Sequence, residues 1–68
     1  MKSLYLARTS KGLSQEQVAE FLGVHRTTYN RYEKGTRDPD LETISKLAVL
    51  FEVTTDFLLG SNAKSLYS

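Results

Sequence analysis

The sequence predicts an all-α protein, a compact bundle of five short helices in one domain. Three observations carry that reading. Apolar residues recur at three- and four-residue spacing, and strand signals are absent. Such runs stop at Gly12, Gly35 and Gly60, while Gly23 divides two of them. The chain has 68 residues and no cysteine, so packed helices must supply the stability without a disulfide or thiolate metal site.

Leu4 and Ala7, with Arg8 beside them, predict a first helix over about residues 2–11, ended by Gly12. Ser14 and Gln17 have capping-box spacing: the hydroxyl accepts from the third helical amide and the glutamine reaches back. A second helix follows over about 15–22, with Val18, Phe21 and Leu22 facing inward. Gly23 takes a left-handed turn at no steric cost, and Val24 plugs the corner.

The third helix covers about 25–34, turns Tyr29 and Tyr32 inward and closes at Gly35. In "TRDPD", Pro39 cannot continue a helix and Asp40 can cap the next one. That fourth helix spans about 41–51, with Leu41, Ile44, Leu47, Ala48 and Phe51 on one stripe. Thr54 caps a last short helix, about 55–59, which inserts Phe57 and Leu58. The domain therefore occupies residues 1–60, and 61–68 form a short flexible C-terminal tail of weak periodicity.

The net charge of +1 hides a segregation. Between residues 24 and 37, Arg26, Arg31, Lys34 and Arg37 stand against Glu33, a net of +3. Between 38 and 56, Asp38, Asp40, Glu42, Glu52 and Asp56 stand against Lys46, a net of −4. A basic face opposite an acidic one steers a polyanion to one side. No apolar run approaches the roughly 18–20 residues that cross a bilayer, and "MKSLYLARTSKG" lacks a signal-peptide core, so a cytoplasmic, soluble protein is expected.

One histidine and scattered serines make no nucleophile–base pattern, so no enzyme and no catalytic residue is expected. Asp38, Asp40 and Glu42 suit capping and dipole neutralisation better than metal binding, so neither a metal nor a cofactor is expected.

The stretch "SQEQVAEFLGVHRTTYNRYEKG", Ser14 to Gly35, meets the demands of a helix-turn-helix. Ala19 is small where two helices approach most closely, Gly23 takes the turn, and Val18, Leu22, Val24, Tyr29 and Tyr32 fill the wedge. Arg26, Thr27, Asn30 and Arg31 form one stripe opposite the two tyrosines. A major groove admits one α-helix, and arginine suits guanine, asparagine adenine, and a threonine methyl thymine. These four are the expected base readers.

The chain resembles the lambdoid phage repressor and Cro-like helix-turn-helix family, also called the xenobiotic-response-element family of transcription regulators. The resemblance runs through "KGLSQEQVAEFLGVHRTTYNRYEKG", "PDLETISKLAVLFEV" and "DFLLG", from about Leu4 to Gly60. It implies a lambda-repressor-like DNA-binding domain in a dimeric regulator, most simply a repressor, that binds a palindromic double-stranded operator.

It further implies that Gln15, at the amide-rich start of helix 2, touches the DNA backbone. Thr28, Lys34, Thr36 and Arg37 flank the stripe and are expected to do the same. His25 departs from the family pattern of serine or threonine at the helix 3 cap, and histidine caps poorly. It is read either as an idle loop histidine or as a phosphate-facing imidazole whose protonation strengthens binding. By the same resemblance Arg8 and Glu33 are expected to form a partly buried structural ion pair.

Val49, Leu6, and Leu66 with Tyr67 do not fit the core stripes, which leaves ordinary exposure or a self-complementary dimer surface near helices 4 and 5. An alternative function remains open: a protein-interaction module, such as an antitoxin-like partner, using the same fold.

Overall fold

The computed structural model describes residues 1–60, and the tail at 61–68, with Leu66 and Tyr67, lies outside them. Five helices follow in order: α1 (Lys2–Ser10), α2 (Gln15–Leu22), α3 (Arg26–Lys34), α4 (Leu41–Phe51) and α5 (Thr55–Leu59). Among the described residues there is no strand.

Local chemistry sets the boundaries. The Ser14 hydroxyl accepts from the Gln17 amide at 3.0 Å, and the Gln17 carbonyl oxygen accepts from the Ser14 amide at 2.8 Å. This reciprocal pair satisfies two amides that the first turn of α2 leaves free. Asp40 and Thr54 start α4 and α5 by accepting from Thr43 and Phe57, at 2.8 and 3.0 Å. Gly23 stops α2 in the left-handed region, at φ 74° and ψ 28°. The Val24 amide then reaches back to the Ala19 carbonyl at 3.0 Å, the bond of a Schellman ending, and this turns the chain into α3.

Each helix donates one fully buried side chain to a single core: Leu4, Val18, Tyr29, Leu47 and Leu58 are all 0% exposed. Burying a large aliphatic side chain contributes about 1.5–3 kcal/mol, so the core is held by many comparable parts. Helix α2 packs chiefly on α3, α1 touches α3 and α5, and α4 rests on α5. Tyr29 and Tyr32 meet edge to face, with ring centroids 6.2 Å apart. Helix α3 is thereby anchored through its tyrosine side, and Arg26, Thr27 and Arg31 on the other side are left to solvent.

Three apolar residues expected inside are on the surface: Phe21 is 51% exposed, Leu41 76% and Phe57 46%. On α2 the buried arc is centred on Val18 and Ala19, where the small alanine lets α3 approach, and Phe21 falls at its edge. Leu41 continues the α4 stripe by period alone, and among the described elements none covers its side chain. On α5 the short helix buries only Leu58, which leaves its neighbour Phe57 half out.

Candidate nucleic-acid interface

The outward side of α3 begins with its cap. Against the expectation of a poor cap, the His25 ring itself closes the first turn: Nδ1 accepts from the Thr27 amide at 3.1 Å. A backbone amide only donates, so Nδ1 carries a lone pair and the proton sits on Nε2. The imidazole thus does what serine or threonine usually does, and its Nε2–H stays available to an outside acceptor.

Arg26, Thr27 and Arg31 are exposed on one side of α3, while Tyr29 and Tyr32 are buried on the other. Asn30, expected in the same row, is half-buried because its Nδ2 donates to Gln15 Oε1 at 3.1 Å. Lys34, the last residue of α3, and Thr36 and Arg37 just beyond it are exposed, and Thr28 is half-buried at the flank. Gly35, at φ 81°, turns the chain there, with the Thr36 and Arg37 amides both donating back to the Arg31 carbonyl.

Behind this surface lies an ion pair. Arg8 Nε donates to Glu33 Oε2 at 2.6 Å, and the two side chains are 11% and 6% exposed. Arg8 Nη2 reaches Glu33 Oε1 at 3.3 Å, Nη1 reaches the Leu13 carbonyl at 2.8 Å, and the guanidinium lies 5.5 Å from the Tyr5 ring centre. Burial alone would raise the Glu33 pKa, but hydrogen bonds, chiefly from Arg8 and also from Gln15, outweigh it and hold the carboxyl below its ordinary range. The same hydrogen bond to Glu33 raises Arg8, against desolvation. The Tyr29 hydroxyl is buried beside the pair, without a partner in hydrogen-bonding geometry among the described residues, and desolvation pushes its pKa far up.

The Gln15 side chain has a use that its position in the sequence does not announce. Its Nε2 donates to Glu33 Oε1 at 2.9 Å, so its side chain joins the ion pair to Asn30. The backbone amides at the start of α2 stay free of intrahelical partners, as in any helix, apart from the one Ser14 takes. An anion docking there would meet those amides and the positive end of the helix dipole.

A shallow concavity of about 450 Å³ opens beside the α2–α3 corner, lined by Glu16, Glu20, His25 and Arg26 among others. Among the described residues no cluster of histidine, cysteine and carboxylate side chains could hold a metal ion, and no helix is long and apolar enough to cross a membrane.

The helix-turn-helix family model matches residues 4–58. A SPbeta prophage-derived uncharacterized HTH-type transcriptional regulator of Bacillus subtilis, YonR, is 52% identical over 58 residues, 84% of this chain and 54% of that protein. The transcriptional repressor RstR of a cryptic CTXphi phage in Vibrio cholerae is 50% identical over 59 residues, covering 87% and 53%. The regulator ImmR of Bacillus subtilis is 41% identical over 64 residues, covering 94% and 50%. The chain thus spans about half the length of these relatives, and no solved structure matches it significantly. With α2 and α3 hinged at Gly23 and the match running from α1 into α5, the chain belongs to the helix-turn-helix family of lambda-repressor-like, xenobiotic-response-element type.

Proposed function

We propose that the chain is the DNA-reading unit of a transcriptional regulator, a repressor, which lays α3 in the major groove of double-stranded DNA. The observation that carries this is the outward row on α3: Arg26, Thr27 and Arg31 are exposed, while Tyr29 and Tyr32 bury the opposite side. Arg26 and Arg31 suit guanine O6 and N7, the Thr27 methyl suits thymine, and Asn30 reads from the edge of the row. Each good pair is worth roughly 1–3 kcal/mol of discrimination.

Around the row, the start of α2 at Gln15, the His25 Nε2–H, Thr28, Lys34, Thr36 and Arg37 form the phosphate-facing rim. Such contacts set register and orientation, and the base edges set specificity. The names of the relatives, regulators and a phage repressor among them, support repression by occupying a promoter. Membership of a family of transcription regulators supports a non-enzymatic role.

The operator reading is a palindrome: two copies of the chain bind half-sites about 34 Å apart, one helical turn. Val49, 77% exposed on α4, is a candidate contact between the copies. Val49→Lys lowering the sedimentation coefficient of the protein supports that surface, and no change removes it. Residues 1–60 form the reading domain.

Selection of bound sites from a random duplex pool tests the whole reading. It should return a two-fold site, and log K should fall against log salt with a slope near −5 if about six phosphates are engaged. Failure to bind duplex DNA even at low salt would favour a protein-interaction module, antitoxin-like, over a DNA reader.

A further inference from the structure

One chain of hydrogen bonds runs from the buried ion pair to the reading surface, and its polarity has only one solution. Arg8 can only donate. Glu33, paired with it at 2.6 Å, is an anion that can only accept. Gln15 must therefore turn its NH₂ toward Glu33, at 2.9 Å, and its carbonyl oxygen away. That oxygen is met at 3.1 Å by Asn30 Nδ2, which forces Asn30 Oδ1 to point away from Gln15. Amide orientation is usually ambiguous because oxygen and nitrogen are so alike, but here the ionised carboxylate at the head of the chain decides it.

We propose that Gln15 is a positioning residue that, held by Glu33, commits Asn30 to offer its carbonyl oxygen to the major groove and so selects an amino base, adenine or cytosine, at the position Asn30 faces. The inference rests on the reading of α3 as a DNA-reading helix. A free asparagine is an ambidextrous reader: it flips about its last torsion to accept from an amino group or donate to a keto oxygen. Pinned by Gln15, it keeps the acceptor outward. Adenine N6 or cytosine N4 then meets a partner, whereas guanine O6 or thymine O4 meets a second acceptor. Adenine is preferred over cytosine, because the second Nδ2 hydrogen is still free to reach adenine N7.

Position 15 offers two informative changes. Gln15→Leu removes the pin and lets Asn30 flip. Gln15→Lys keeps a donor for Glu33 but can no longer accept, so its ammonium attracts Asn30 Oδ1 and turns Nδ2 outward. The first change should relax the choice of base, and the second should invert it toward guanine or thymine. A purely structural role for Gln15 would weaken every site alike and leave base preference untouched.

The test is site selection from a random duplex pool with the wild-type protein, Asn30→Ala, Gln15→Leu and Gln15→Lys, each checked for cooperative thermal unfolding. Asn30→Ala should flatten one operator position, where the wild type prefers an amino base about tenfold. Gln15→Leu should reduce that preference to about twofold or less, and Gln15→Lys should reverse it. If one position-15 variant does not fold, the other decides. A keto base selected by the wild type there, no position altered by Asn30→Ala, or an unchanged preference in the folded Gln15 variants overturns the inference while the DNA reading stands. Absence of any selected site in the wild type overturns both.

Discussion

Arg8 and Glu33 lie 2.6 Å apart, 25 residues distant in sequence, and tie the first helix to the back of α3. With side chains only 11% and 6% exposed, neither partner can fall back on water if the other is removed. Arg8→Ala or Glu33→Ala should therefore each cost about 3–5 kcal/mol, whereas the pair exchanged for apolar residues of similar size costs much less. A double-mutant cycle by urea unfolding checks this, and a coupling energy near zero would refute it. Because folding lowers the Glu33 pKa from its ordinary 4.5, its contribution is complete at neutral pH. It is lost as pH falls below about 4.5 and through the folded-state value. Glu33→Gln should accordingly flatten the acid limb of the stability profile.

At His25 the cap and the proposed phosphate contact use different nitrogens, so they can be separated. His25→Ser keeps a good cap and loses Nε2, so stability should hold within about 0.5 kcal/mol while DNA affinity falls. His25→Ala loses both, and unfolding should become easier by about 1 kcal/mol. Equal stability of the serine and alanine variants would show that the ring does not cap α3.

Glu52 ends α4 in the left-handed region, at φ 58° and ψ 45°, a position that favours glycine. An L side chain is strained there by about 1–2 kcal/mol, and its exposed bridge to Lys11 offsets little of that. Glu52→Gly should raise stability by about 0.5–1 kcal/mol, and Glu52→Ala should change it by less than about 0.5 kcal/mol. A glycine variant that melts below the wild type would contradict the assignment of strain.

Gly23 makes the opposite case, at φ 74°, where a Cβ would meet no described atom within 4 Å beyond its own chain neighbours. Conformation, not crowding, is thus the cost of a side chain at the hinge. Gly23→Ala should lose about 1 kcal/mol of stability and keep the same base preferences in site selection. Altered preferences with little loss of stability would mean that the hinge angle itself had moved.

How much of this could be read from the residues depends on the range of each interaction. The Ser14–Gln17 box, the Asp40 and Thr54 caps and the Gly23 turn act within a few residues, so their residue types announce them. The exposed side of α3 is legible for a similar reason, since Tyr29 and Tyr32 mark the buried side of a regular helix. The Gln15 bonds to Glu33 and Asn30 are not, because they span 18 and 15 residues and depend on how α2 is set against α3. The His25 cap escapes a reading based on the average behaviour of histidine, because a neutral ring with a free Nδ1 serves well.

By itself, then, the order of residues determined five helices, the caps of α2, α4 and α5, the hinge and which side of α3 turns outward, since periodicity and capping are properties of neighbours along the chain. Only the tertiary structure decided that Phe21, Leu41 and Phe57 stay at the surface and that Asn30 is bound to Gln15. Burial needs a covering element, and the direction of a hydrogen bond needs a partner of known polarity. Both arrive from distant parts of the chain.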